Sequence, residues 1–170
     1  METYNKTMAN KVFSDERGFN MKFFEEHFAK EKGFKEVKEV FATTNKKGVI
    51  RAFHYQGNPY PQQKIVKPLA GRFNVRVVDM ENNVVEEFNG WTNTSKPIFV
   101  KAGNMLGYVA LEENSVMLYI ADEAFHGELN HGVHPYSFGV NWEFPGPVIM
   151  SERDEQADRV DFDDYEQENK

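Results

Sequence analysis

The spacing of apolar positions along this chain changes once. Over residues 20–32, Phe24, His27 and Phe28 fall at helical intervals, with Met21 and Glu31 extending the face, and Gly33 supplies a C-terminal stop. That pattern predicts one short amphipathic helix. From residue 36 onward the rhythm shortens to β-rich runs at 36–43, 49–55, 64–69, 73–79, 83–88, 97–100, 108–111, 115–120 and 136–142. Phe73, Val75 and Val77 alternate with polar neighbours, as on a half-buried antiparallel strand. Turn chemistry separates the runs, at Asn45 to Gly48, Gly57 to Pro59, Glu81 to Asn83 and Glu112 to Asn114. About nine strands, one early helix and no alternation of strand with helix predict an all-β jelly-roll sandwich and not a parallel sheet.

Composition narrows the picture. A chain of 170 residues with 40% hydrophobic and 14% aromatic positions is long enough for one domain with a sizeable core. No apolar run approaches the roughly 20 residues of a membrane helix, and the opening METYNKTMANK is too polar for a signal peptide, so a cytoplasmic protein without membrane contact is expected. Zero Cys excludes disulfides, thiolate catalysis and zinc-thiolate sites. Of the net charge of −7, the segment 151–170 carries −6, from nine acids against three bases, which leaves the first 150 residues nearly neutral. The chain is therefore divided into a folded body over 1–150, N-terminal arm included, and an acidic segment over 151–170, read as a solvated terminus. No face suited to nucleic acid is apparent.

Candidate chemistry is sparse. Neither G-x-G-x-x-G nor G-x-x-x-x-G-K-[ST] is present, so any nucleotide would be held by side chains, and without a G-x-S-x-G elbow or a Cys nucleophilic hydrolysis drops out. His54 lies in a strand with Arg51 and Gln56, but Arg51 and His54 differ in parity, and only a bulge or barrel end would turn both to one cavity. His126, Glu128, His131 and His134 cluster in sequence, yet spacings of five and three with intervening glycines suit a polar loop better than a metal site, and no metal is expected.

Four ordered segments then carry a resemblance: Asp15-Glu16-Arg17-Gly18-Phe19, Val49-Ile50-Arg51-Ala52-Phe53-His54-Tyr55-Gln56, Gln62-Gln63-Lys64-Ile65-Val66 and Met150-Ser151-Glu152-Arg153-Asp154. In order and spacing they resemble the D-x-R-G, V-L-R-G-L-H-x-Q, Q-G-K-L-V and L-S-x-K-D motifs of the dTDP-4-dehydrorhamnose 3,5-epimerase family. The resemblance implies a cupin jelly roll, or double-stranded β-helix, to which the spacing adds the short N-terminal helix. It implies a homodimer, cofactor-free proton exchange beside the C4 ketone of a nucleotide-linked keto sugar, and work in carbohydrate or polysaccharide biosynthesis. By position, His54 would be the base, Asp154 the carboxylate that orients it, and Lys64 the cation beside the enolate oxygen. Arg51, and Arg17 from a neighbouring subunit, would contact phosphates, and Gln56, Lys67, Tyr119 and Phe125 would line the substrate.

The departures bear on activity. Counted from Tyr119, Phe125 stands where the family has the Tyr that returns a proton, Leu106 replaces a loop His, and Glu39, Val40 and Phe41 replace Q-x-N. Lys22 or a close neighbour stands where a glutamate is expected. Tyr108, Tyr119, His126 or a water could supply the proton instead. Three readings follow: an epimerase at C3, C5 or both, a 3,4-ketoisomerase, and a nucleotide-sugar-binding cupin without catalysis.

Overall fold

A computed structural model describes residues 12–168; the polar opening METYNKTMANK, on which the absence of a leader was argued, lies outside the described residues. Two antiparallel sheets face each other. The first runs in the order β3 (Glu39–Asn45), β10 (Ser115–Ala121), β5 (Lys64–Ala70) and β8 (Ile98–Val100). The second runs β11 (Asn130–Gly132), β4 (Ile50–Gln56), β9 (Met105–Ala110), β6 (Arg72–Asp79) and β7 (Val84–Thr92). Apart from the β6–β7 hairpin, neighbours in each sheet are not consecutive in the chain, as in the expected jelly roll. A separate hairpin, β1 (Val12–Asp15) with β2 (Gly18–Met21), precedes them, and three short helices, α1 (Glu26–Glu31), α2 (Glu152–Gln156) and α3 (Phe162–Glu168), complete the elements.

Strand alternation sends side chains into separate apolar layers. Val66, Met117 and Tyr119 of the first sheet meet Phe73, Val75, Val77, Leu106 and Tyr108 of the second between the sheets. The opposite parity of the second sheet, Ile50, Val78, Met105 and Val109, packs outward against Val133, Val140, Trp142, Phe138 and Phe162. Because both faces of β9 are covered, all six of its residues are buried, and the strand reads as a run with little alternation. On the outer face of the first sheet, Ala29 and Phe34 bury Ile65 and Ile120 with help from Phe24 and Phe28.

Three expectations change. The helix predicted over 20–32 is confined to Glu26–Glu31, because Asn20 and Met21 pair with Phe13 and Val12 in the hairpin ladder. Residues 136–142 are not a strand: a 3₁₀ turn at Ser137–Gly139, with Phe138 at φ 57°, breaks the run. Side chains of β6 take its carbonyls, Asn74 donating to Trp142 O at 2.9 Å and the wholly buried Arg76 to Asn141 O at 2.9 Å. The acidic segment is no simple solvated terminus. Asp154 is buried, and Val160, Phe162 and Tyr165 pack on the outer cluster of the second sheet, where the Tyr165 hydroxyl bonds that of Tyr55. Among the described residues no helix is long and apolar enough to cross a membrane.

Candidate active site

A cavity of about 820 Å³ opens between the two sheets, and its walls come from both. The pairing of β4 with β9 slips between Arg51 and His54, so that residues of unlike parity both line it. This is the irregularity that the sequence required. Lys64 enters from β5, Glu39, Phe41 and Thr43 from β3, Leu106 and Tyr108 from β9, Tyr119 from β10, and Phe125 from the segment after β10.

His54 is held from behind. Its Nε2 lies 2.7 Å from Asp154 Oδ1, a contact spanning 100 residues of sequence, so Nδ1 is the ring nitrogen that Asp154 does not engage. Asp154, 4% exposed, reaches this position because Ser151 caps α2, its Oγ accepting the Asp154 N–H at 3.1 Å. Arg153 ties the same helix to β11 by donating to Asn130 O at 2.7 Å, and β11 pairs with β4 so that Gly132 stands opposite His54. On the other side of β4, Leu106 stands opposite His54 and gives that flank of the ring an apolar neighbour.

Lys64 lies in a dehydrated part of the wall. Burial draws its pKa down to about 8, against a smaller opposing pull from the Glu39 carboxylate. Glu39 in turn accepts the Phe125 N–H at 3.0 Å and fixes the half-exposed Phe125 ring at the cavity.

Hydroxyls form a connected group deeper in the core. Tyr119 donates to the Tyr108 oxygen at 2.9 Å, Tyr108 and Thr43 share a bond of 2.8 Å, and Asn45 Nδ2 donates to Thr43 Oγ1 at 3.2 Å. Arg51 Nε closes the chain on Asn45 Oδ1 at 2.9 Å. Phe41 stacks on Tyr119 with centroids 4.6 Å apart and planes 7° from parallel. Thr43 and Asn45 carry no motif, and only the fold identifies them.

The expected site residues divide. His54, Asp154, Lys64, Arg51, Tyr119 and Phe125 converge on the cavity. Gln56 does not line it: the side chain is buried and spent on backbone, donating to Tyr60 O and Ala124 O and accepting the His126 N–H, so it anchors the loop that carries Phe125. Lys67 also lies elsewhere, because its parity on β5 is that of Ile65, away from the cavity, and its Nζ sits over Phe23 at 5.4 Å. Arg17 is exposed in the β1–β2 turn and pairs with Asp15. The other histidines diverge: His126 stacks on Tyr60 at 4.5 Å, His131 lies against Tyr55, and His134 Nδ1 accepts the Tyr136 N–H. Among the described residues no group of three His, Asp or Glu is arranged to hold a metal ion.

The family model for dTDP-4-dehydrorhamnose 3,5-epimerase matches residues 5–161. The chain belongs to that family. A dTDP-4-dehydrorhamnose 3,5-epimerase of Methanothermobacter thermautotrophicus is 30% identical over 156 residues, covering 84% of this chain and 82% of the relative. Among solved structures, the RmlC epimerase of Mycobacterium tuberculosis superposes with a TM-score of 0.82 at 23% identity, over 93% of this chain and 84% of the other. ChmJ, a 3'-monoepimerase of Streptomyces bikiniensis in complex with dTDP-quinovose, gives 0.78 at 20% identity, over 93% and 89%. These likenesses carry the fold: a jelly roll, as the strand pattern predicts, in the cupin form that the resemblance implies.

Proposed function

We propose that this protein is an isomerase that inverts C3, C5 or both in a nucleoside-diphosphate-linked 4-keto (6-deoxy) sugar. One observation carries the reading: a buried carboxylate holds His54 at 2.7 Å on the wall of a cavity that also presents the Lys64 cation. The C4 ketone makes the neighbouring C–H acidic. His54 takes that proton through Nδ1, Asp154 stabilises the imidazolium that forms, and Lys64 stabilises the negative oxygen of the enolate in a water-poor setting. The chemistry needs no redox cofactor, since a proton leaves and returns to the same carbon.

Arg51 has its Nε engaged by Asn45, which orients its terminal nitrogens for the diphosphate. Arg17 belongs to this reading through a homodimer, in which the β1–β2 arm of one copy reaches the cavity of another. Phe13 and Phe19 of that arm are 64% and 62% exposed, and a lone two-stranded hairpin is marginal in water, so both features favour a cover. We place the activity in the cytoplasm, where nucleotide sugars serve carbohydrate and polysaccharide biosynthesis, with residues 1–150 as the jelly-roll unit and 151–170 supplying Asp154.

Solvent deuterium wash-in tests the reading on a panel of dTDP-, GDP-, UDP- and CDP-linked 4-keto sugars. Deuterium at C3 or C5, lost in His54→Asn, with the ketone still at C4 in the product, is the expected result. A ketone moved to C3 would instead identify a 3,4-ketoisomerase, and exchange at neither carbon would leave a binding role.

A further inference from the structure

Inverting a carbon centre requires two groups, one to take the proton and another to return it from the opposite side. His54 serves the first role, and Asp154 is committed to it. Glu39 is committed to the Phe125 N–H, Lys64 is assigned to the ketone oxygen, and Phe125 has only carbon to offer. His126 is stacked on Tyr60 and does not line the cavity. The Ser151 Oγ is engaged as the α2 cap, and the hydroxyls of Thr43, Tyr108 and Tyr119 remain.

Their hydrogens can be counted. Three hydroxyls make two bonds among themselves, Tyr119 to Tyr108 and Tyr108 with Thr43, which consume two of three hydrogens. The third is left over. It belongs to Tyr108 when Thr43 donates to the Tyr108 oxygen, and to Thr43 in the reverse arrangement. A phenol is by far the stronger acid of the two, so the first arrangement is the one that can deliver a proton.

We propose that Tyr108 is the catalytic acid, and that Tyr119 and Thr43 are positioning residues that hold its oxygen. This rests on the epimerase reading. Tyr108 is the hydroxyl built to carry charge after the proton leaves: Tyr119 donates to its oxygen, Thr43 at 2.8 Å can donate to it as well, and Arg51 lies within electrostatic reach through Asn45. Burial raises the Tyr108 pKa while those same groups oppose the rise, whereas Tyr119 is pushed well above its ordinary value by burial and by Tyr108, and so stays protonated as a donor. An edge contact from Phe73, centroids 5.2 Å apart at 82°, fixes the Tyr108 ring. Tyr108 and His54 stand on neighbouring strands and both line the cavity, and the Tyr108 hydroxyl reaches across to Tyr119 and Thr43 of the facing sheet.

The step balances. After His54 has taken the proton, the C–H electron pair resides in the enolate. As the carbonyl re-forms, that pair takes the Tyr108 proton, the new C–H bond forms as the Tyr108 O–H bond breaks, and the enzyme is left with a phenolate and an imidazolium. A proton passing from imidazolium to phenolate through solvent resets the site.

The test measures two quantities in one D2O reaction: deuterium in recovered starting sugar, and epimer formed. His54→Asn is expected to lose both. Tyr108→Phe removes one oxygen and is expected to lower epimer formation about 100-fold or more, the usual worth of a positioned acid, while deuterium continues to enter the starting sugar on the His54 side. Thr43→Val, which leaves both phenols in place, is expected to lower epimer formation several-fold with wash-in unchanged. Epimer formation at the original rate in Tyr108→Phe, or a parallel fall of both quantities in folded Tyr108→Phe and Thr43→Val, overturns the inference alone. If the unmodified protein shows no wash-in on any sugar of the panel, the epimerase reading fails, and the inference with it.

Discussion

Gly132 stands directly across the β11–β4 ladder from His54, and a Cβ at that position would come to 3.0 Å from the imidazole Cδ2 and 3.1 Å from Phe53 O. The ring that contacts Asp154 therefore occupies space that any side chain at 132 would contest. Gly132→Ala is expected to push the ring a few tenths of an ångström against its carboxylate and lower kcat several-fold, since a full ångström of misplacement costs about 100-fold in a positioned site. Steady-state kinetics beside a thermal melt checks it: kcat falls while the melting temperature moves little.

Lys64 sets the alkaline side of the pH profile. Its pKa of about 8 in the folded chain is below the ordinary 10.5, so the cation needed at the enolate is lost as pH rises through 8, and kcat declines there. Glu39→Gln keeps an acceptor for the Phe125 N–H but removes the charge that props Lys64 up, so the decline moves to lower pH. A pH–rate profile of the two proteins measures the shift.

The same lysine trades stability for chemistry. Between pH 8 and 10.5 the unfolded chain holds a proton that the folded chain has released, so this group makes stability rise with pH across that window and weakens the fold below it. Lys64→Met is expected to raise the melting temperature at pH 7 and to lose wash-in and epimer formation together. An unchanged or lower melting temperature would contradict it.

Gln56 is a structural residue with three backbone partners on two segments. Gln56→Leu removes the partner of two carbonyls and one N–H at a part-buried place, at about 1–3 kcal/mol for each group that water does not reach. Denaturant titration should show that loss, and the loosened Phe125 loop should raise KM more than it lowers kcat.

Phe162 distinguishes a packed C-terminal segment from a solvated one. It contacts Phe138 at 4.8 Å between centroids within the outer cluster, so Phe162→Ala is expected to destabilise by about 2 kcal/mol, short of the larger values for a fully enclosed ring. A substitution on a solvated tail would leave the melt unchanged.

Period and parity were enough to locate most of the sheet. Eight of the nine runs read from the sequence correspond to strands of the two sheets, because alternating or continuous apolar residues bounded by turn chemistry have few other uses. The run at 136–142 misled because its apolar residues, Val140 and Trp142 among them, are buried by lying across a sheet and not by joining one. Tyr165 and Phe162 were hidden among acids, and their burial depends on a groove made by residues more than twenty positions away.

The local order of side chains along the chain was sufficient for the class of fold, and four spaced segments carried the family resemblance, through which alone His54, Lys64 and Asp154 were picked out as a set. The partition of those residues between cavity and scaffold was decided in three dimensions. A register slip brings Arg51 and His54 to one side, strand parity turns Lys67 away, backbone groups occupy Gln56, and Tyr108, Tyr119 and Thr43 meet only because two sheets close over them. Such relations depend on distances between segments far apart in the chain, and no local pattern encodes a distance of that kind.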